Sequence, residues 1–319
     1  MRQGKTHINY YSSVIAKTVE WLWYPFIPYG RITIIQGDPG EGKTTLVLNI
    51  AALLSTGQAM PDGDKPDKPY HVIYQSTEDG IADTVKPRLA DAGADCSLIA
   101  FIDDSSESLT LDDERIECAI NQTGARLLVL DPLQSFVGCG SDFNRANDIR
   151  PLMQRLSAVA ERTNCAVVII GHMNKASGTK GLYRGLGSID ITAAARSVLL
   201  VGRLRDEPSI RVMTQLKNNL APEGHSVAFE LNPAGGFRWI GRYDVCADDI
   251  LNGAKPIEET KLIQAQTLLQ ELLSREIHLC SQIYALCKER GIGQRTVETA
   301  KRTLNVKLVK RADGWYWSL

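Results

Sequence analysis

No apolar run in this chain is long enough to cross a bilayer: the richest early stretch, Trp21 to Pro28, is short and interrupted by Pro25 and Pro28. Met1 to Tyr10 is polar and lacks the unbroken apolar segment and small-residue cleavage site of a secretory signal, so a cytoplasmic protein with no membrane partner is expected. No Cys-x-x-Cys pair occurs among the seven cysteines, Cys96, Cys118, Cys139, Cys165, Cys246, Cys280 and Cys287. Their odd number and wide scatter predict reduced packing residues, not disulfides or metal ligands. Internal repeats and low-complexity tracts are missing too, and 44% hydrophobic against 23% charged residues is not the composition of a disordered chain. Nor is there a global charge excess, since the formal charge is -1. From Lys255 onward, however, 11 Lys/Arg face 7 Asp/Glu, leaving 25 against 30 before it, so any nucleic-acid surface is expected to be local.

What the chain does have is alternation. Its 319 residues are long for one compact unit and predict a core domain of roughly 200 to 250 residues plus a smaller one. Strand-like apolar runs recur at Arg31 to Gln36, His71 to Gln75, Ser97 to Ile102, Arg126 to Leu130, Ala166 to Gly171, Ser197 to Val201 and Ile210 to Leu216. Between several of them lie helix-length segments, Lys43 to Ser55, Ala82 to Ala92, Leu111 to Asn121 and Asp148 to Arg162. That pattern predicts an α/β domain with a largely parallel sheet covered by helices on both faces. Ser226 to Trp239 reads as a late hairpin turning at Asn232 to Gly236. A polar segment carrying Gly253 and Pro256 then suggests the division 1–247, a linker at 248–257, and a second domain at 258–319.

The segment Gly37-Asp38-Pro39-Gly40-Glu41-Gly42-Lys43-Thr44 fits G-x-x-x-x-G-K-[ST], with an apolar strand before it and a helix after it. Glycines at this spacing let consecutive backbone N–H groups wrap phosphates at a helix N-terminus. Lys43 reaches the terminal phosphates of ATP, and the Thr44 hydroxyl serves a Mg2+ ion. Thr45 completes the nucleotide-binding set. Such a metal also needs a carboxylate at the end of a neighbouring buried strand, and Leu127 to Leu130 runs into Asp131.

Hydrolysis further requires a base or water-orienting group, but Asp131 is followed by Pro132 and Leu133. The strand Val72 to Gln75 delivers Glu78 near its C-terminal end, where open α/β sheets bind ligands, so Glu78 is the preferred base. Asp79 is the other carboxylate available, and the pair could instead cap the helix after Gly80. His172, ending the strand Ala166 to Gly171, can donate to a phosphate oxygen, or it can simply cap the sheet.

This combination resembles the RecA-like P-loop ATPases, in which the glutamate follows the strand after the phosphate loop. Ser76-Thr-Glu-Asp-Gly80, Gly171-His172-Met-Asn-Lys175, Arg184-Gly-Leu-Gly-Ser188 and Lys217-Asn-Asn-Leu-Ala-Pro222 look most like the RepA-type ATPases. That group includes hexameric replicative helicases of plasmids and related ATPases of phages and integrative elements. The resemblance runs from about Trp21 to Asp244. It implies that His172 senses the terminal phosphate, that Arg196 is an arginine finger completing a neighbouring subunit's site, and that Lys217 is a second trans-acting cation. Arg196 could equally pair locally with Asp190. Related ring helicases place a Lys-x-Arg pair where this chain has Lys217-Asn218-Asn219, and the missing arginine departs from that pattern. Two segments, 138–147 and 175–188, are candidates to line a central pore. The second offers Lys175, Lys180 and Arg184 for phosphate contacts with single-stranded DNA.

In the last sixty-odd residues, Leu262, Ala265, Leu269 and Leu272 form one helical stripe, Leu279, Ile283 and Leu286 a second, and Val297, Ala300 and Leu304 a third. A hairpin from Val306 to Trp317 closes the chain. Three helices and a hairpin resemble a winged helix-turn-helix, with Arg295 and Arg302 on the third helix and Lys310 on the hairpin as DNA contacts. Such units also dock proteins. The expectation is therefore a homo-oligomeric ATPase acting on DNA, a RepA-like helicase. An ATP-controlled initiator without unwinding activity and a RecA-like recombination or repair ATPase stand beside it.

Overall fold

The computed structural model describes residues 9–138, 146–172, 189–204, 207–232, 235–252, 261–274, 277–304, 306–311 and 314–318. The chain divides into two compact units, Met1–Ala254 and Lys255–Leu319. Among the described residues no helix is long and apolar enough to cross a membrane.

In the first unit the elements follow as β1 (Trp21–Trp23), β2 (Ile27–Pro28), β3 (Ile32–Gly37), α1 (Lys43–Ser55), β4 (Val72–Ser76), α2 (Lys86–Asp91), β5 (Ile99–Ala100), α3 (Glu114–Thr123), β6 (Leu127–Asp131), α4 (Ala146–Thr163), β7 (Ala166–His172), α5 (Ile189–Ala194), β8 (Ser197–Arg203), β9 (Ile210–Asn218), β10 (Ser226–Asn232), β11 (Gly236–Tyr243) and α6 (Ala247–Asn252). Nine strands form one sheet in the order β11-β10-β9-β8-β3-β7-β6-β4-β5. From β8 to β5 every neighbouring pair is parallel, while β9, β10 and β11 extend the sheet by antiparallel pairing.

The central strands explain themselves. Leu127 to Asp131 is buried at every position, as a strand covered on both faces must be, and so is Ile32 to Gly37. Side chains alternating along them split the core into two layers, one holding Ile35, Leu48, Val129 and Val168, the other Ile34, Leu128, Ile169 and Leu156 of α4.

Several boundaries differ from the sequence-based expectation for local reasons. The run Ser97 to Ile102 pairs only at Ile99–Ala100, because Asp95 accepts a hydrogen bond from Ser97 N at 3.0 Å and winds Cys96–Leu98 into a 3-10 turn. The helix expected from Leu111 starts at Glu114, where the Asp113 side chain caps it by accepting from Arg115 N at 2.8 Å. The stretch Trp21 to Pro28 forms the short antiparallel pair β1–β2, burying Trp23, Phe26 and Ile27. Where the polar composition suggested the start of a linker, Ala247–Asn252 is helical, and Ile250 seats over Gly202, whose missing side chain makes room for it. A Cβ on Gly202 would stand 2.3 Å from Ile250 Cγ2.

The second unit contains α7 (Lys261–Leu273), β12 (His278–Leu279), α8 (Cys280–Glu289), α9 (Gln294–Thr303), β13 (Lys307–Arg311) and β14 (Gly314–Ser318), with its strands in the order β12-β14-β13. The apolar stripes of the three helices meet around Trp317: Ala265 and Leu269, Ile283 and Cys287, Val297 and Ala300 are all buried there. The terminal hairpin pairs Lys310 with Trp315 and Arg311 with Gly314, and β12 adds a third strand that the periodicity did not foretell.

Candidate functional site

Parallel strands all deliver their C-terminal ends to one sheet edge, and the phosphate loop leaves β3 at that edge. The path of the loop depends on glycine at two points. Gly42 caps α1 at a φ of 86° in the left-handed region, and a Cβ there would come within 3.2 Å of Leu231 Cδ2. Gly37 lies so close to β8 that a Cβ would meet Val201 O at 2.1 Å. Asp38, Pro39 and Gly40 form the exposed arc of the loop.

Lys43 is buried, and its ammonium donates to Gly37 O and Asp38 O, both at 2.9 Å. Burial lowers its pKa, opposed by the negative charges of Asp131 and Glu41. The next residue along α1, Thr44, donates its hydroxyl to Asp131 Oδ2 at 2.8 Å. Thr45, next to it, is half-buried. Asp131 ends β6 at 6% exposure, and burial pushes its carboxyl above the usual range. The hydroxyls of Tyr74 and Thr44 both donate to Oδ2 and pull that pKa back down. Tyr74, in β4 beside β6, donates at 2.8 Å, and burial together with the Asp131 charge drives its phenol well above its ordinary value.

Glu78 and Asp79 follow β4 at the same edge and have separate occupations. Asp79 Oδ2 is bound by Arg88 Nη1 at 2.8 Å, while Glu78 is exposed and faces His172, with 3.8 Å between Glu78 Oε2 and His172 Nε2. That distance is too long for a direct hydrogen bond. His172 Nδ1 is buried with no partner among the described residues. Since Glu78 acts electrostatically on both Lys43 and Asp131, the loop, the buried carboxylate and the exposed one share a single site.

Two cations highlighted by the sequence lie elsewhere. Arg196 N donates to Ile32 O at 3.0 Å, at the start of β8 and the opposite end of β3 from the loop. Gly37 lies five residue steps beyond Ile32 along β3, roughly 17 Å at ~3.3 Å per step. The Arg196 side chain is exposed and cannot serve its own loop. Lys217 sits at the same edge, where its ammonium donates to Thr192 O at 2.8 Å and Ala195 O at 2.9 Å and so closes the C-terminal end of α5. Lys175, Lys180 and Arg184 fall outside the described residues, as does 139–145 of the other expected pore segment. In the second unit Arg302 is exposed, Lys310 Nζ lies 5.5 Å from the centre of the Trp315 ring, and Arg295 belongs to α9.

Two contributors went unnoticed in the sequence. One is Tyr74. The other is Arg203, at the C-terminal end of β8, whose Nε is 2.9 Å from Glu41 Oε1 and whose Nη2 donates to Gly40 O at 3.2 Å. Its signal was its place: it ends a strand adjacent to the loop strand, at the ligand-binding edge.

The family model AAA_25, an AAA domain, matches residues 11–178. DNA repair protein RadA of Streptococcus pneumoniae (strain ATCC BAA-255 / R6) is 24% identical over 228 residues, 70% of this chain and 48% of the relative. DNA repair protein RadA of Halalkalibacterium halodurans is 24% identical over 208 residues, 65% of this chain and 40% of the relative. The chain thus spans less than half the length of these curated relatives. Among solved structures, the ATPase domain of G40P superimposes with a TM-score of 0.51 at 17% identity, covering 67% of this chain and 85% of that one. At that identity the likeness is one of fold, the RecA-like P-loop ATPase fold.

Proposed function

Since this chain belongs to the AAA domain family matched over residues 11–178, and its fold is that of a RecA-like P-loop ATPase, we propose that it is an oligomeric, DNA-stimulated ATPase of the RepA type, a replicative helicase of a mobile genetic element working in the cytoplasm. The observation that carries the reading is the convergence of Lys43, Thr44, Asp131 and Glu78 at one sheet edge.

In this reading the N–H groups of the loop and the Lys43 ammonium hold the phosphates of ATP. The Thr44 hydroxyl and the Asp131 carboxylate, 2.8 Å apart and both oxygen donors, suit Mg2+, which when bound supplies positive charge against the phosphates. Glu78 is the base that accepts a proton from the attacking water, because Arg88 already occupies Asp79. His172, which approaches Glu78, reads the terminal phosphate and passes its state to the segment that follows β7. Arg196 serves the nucleotide of the adjacent subunit in a ring, probed below by subunit mixing. Lys217 joins it only if it gives up the carbonyls of α5. Arg302, Lys310 and Arg295 of the winged-helix-like second unit contact duplex DNA, while Lys175, Lys180 and Arg184 meet the single strand.

The similarity to RadA favours a second reading, a recombination or repair ATPase. Unwinding of a forked duplex, measured beside ATPase rates with and without single-stranded DNA, decides between them. DNA-stimulated hydrolysis with strand separation supports the helicase. Stimulation without separation supports a repair or initiator ATPase. ATPase rates that ignore DNA refute both.

A further inference from the structure

The terminal hairpin of the second unit carries aromatic surface that the core of the unit does not use. Among the described residues, Leu308 and Trp315 are the exposed large hydrophobic residues of that unit, each 50% exposed. They fall on one face. Residues directly opposite on antiparallel strands share a face, and β13 and β14 pair Leu308 with Trp317 and Lys310 with Trp315. That face begins under the helices, where Trp317 is buried in the core, and runs out from the core at Trp315. Lys310 Nζ stands 5.5 Å from the centre of the Trp315 ring, within cation–π reach. On the other face the Arg311 guanidinium lies 5.2 Å from the centre of the Tyr316 ring, so both sides of the hairpin set a cation against an aromatic ring. From Thr299 to Leu319 the sequence holds five cations, Lys301, Arg302, Lys307, Lys310 and Arg311, against one acidic side chain, Asp313.

We infer that the Leu308, Lys310 and Trp315 face is a stacking platform for an unpaired base of DNA: Trp315 takes the base on its ring, Lys310 meets an adjoining phosphate, and the second unit holds a duplex where its strands part. The inference rests on the reading of the second unit as a DNA contact, and it adds a feature, the unpaired base, that phosphate contacts alone do not recognise. The charge balance calls for an anionic partner. A half-exposed indole with an ammonium beside it offers a π-face and a countercharge together, which suits a single strand because each nucleotide brings a flat base and a phosphate. Bases inside an intact duplex are stacked on one another and show the grooves only their edges, so an indole plane is matched by an unpaired base. An acidic peptide brings carboxylates without a flat face, and two exposed apolar side chains are too few to hold a membrane surface.

The test measures binding of the full chain to three fluorescent DNAs at one salt concentration: a blunt duplex, the same duplex with a single-stranded tail, and the same duplex with an abasic tail, which keeps the phosphates and lacks the bases. Trp315→Ala is expected to weaken binding to the tailed duplex by about tenfold, the loss of one stacked base, and to leave the blunt and abasic-tailed duplexes unchanged. Trp315→Phe keeps a ring and should retain most of the tail affinity, and both variants should melt near the wild-type temperature because the side chain lies outside the core. Iodouracil placed in the tail should crosslink to Trp315 under ultraviolet light, read by mass spectrometry of the digested adduct, which separates this contact from single-strand binding elsewhere in the chain. Unchanged tail affinity in Trp315→Ala, an equal loss on all three DNAs, a Trp315→Phe protein as weak as Trp315→Ala, or a crosslink that forms only outside the hairpin would overturn the platform. So would loss of binding to polyglutamate or to phosphatidylserine vesicles in Trp315→Ala with tail affinity kept, which would assign the face to an acidic protein or a membrane. Arg295→Ala combined with Arg302→Ala tests the underlying reading separately. It should weaken binding to all three DNAs alike. An unchanged affinity for the blunt duplex would refute the duplex contact, while the Trp315 comparison would still decide the platform.

Discussion

Tyr74 offers the sharpest test of how the buried carboxylate is held. Replacing it with phenylalanine removes the hydroxyl that donates to Asp131 Oδ2 at 2.8 Å and leaves the ring in its buried place in β4. A hydrogen bond to a charged group contributes about 1.5–3 kcal/mol, and Thr44 remains as the other donor to the same oxygen, so a loss near the lower end is expected. The sign of the pH dependence follows from the cause of the shift. Burial raises the Asp131 pKa, so ionised Asp131 is a net burden in the folded state: its contribution to stability is fully present below the unfolded carboxyl pKa and is lost as pH rises through the folded one. Tyr74 counteracts this by favouring the ionised form. Urea unfolding of Tyr74→Phe should therefore show the largest deficit at alkaline pH and a smaller one in acid, where a neutral carboxyl needs the hydroxyl less. The acid limb of magnesium-dependent ATP hydrolysis should move to higher pH for the same reason. A deficit independent of pH, or an acid limb that stays put or moves to lower pH, would refute this account of Asp131.

Three further outcomes are expected. Glu78→Gln should keep ATP affinity and lose hydrolysis by about 100-fold or more, and normal turnover there together with inactive Asp79→Asn would reassign the base. Arg196→Ala and Lys43→Ala proteins should each be inactive and regain partial ATPase activity when mixed, because the hybrid interface joins one chain's loop to the other's arginine; a fully active Arg196→Ala protein would end the shared-site mechanism. The combined change of Arg295, Arg302 and Lys310 to alanine should weaken DNA binding and flatten its salt dependence, whereas unchanged low-salt affinity would assign the second unit to protein docking.

What the sequence revealed was whatever is local. Lys43–Ser55 was legible as a helix because a loop motif opens it and apolar residues continue it, and β6 because four apolar residues in a row, Leu127 to Leu130, leave no polar side to misread. The loop, Asp131 and Glu78 could be proposed because strand ends at one sheet edge follow from α/β alternation. Contacts across the fold were not legible. Tyr74 lies 57 positions from Asp131 and Arg203 lies 162 from Glu41, and neither spacing has a signature in a single chain. The antiparallel extension β9–β11 was visible as strands but not as a sheet edge, since periodicity does not encode which neighbour a strand will choose. Strand β5 was overestimated because the Asp95 cap outweighed the β-forming tendency of its neighbours.

The position of Arg196 has a consequence for symmetry. Loop and arginine occupy opposite ends of the same strands, one after Gly37 and the other beside Ile32. If Arg196 completes a second copy's site, the two patches in contact must be different surfaces, one edge of one subunit against the other edge of the next. A two-fold dimer pairs each patch with itself and cannot make that contact while its axis runs through either edge. A heterologous contact leaves an unused loop at one terminus and an unused arginine at the other until the rotation closes. Closure would then equalise the sites: an open array of n subunits holds one fewer complete site than it has loops, and a ring holds as many.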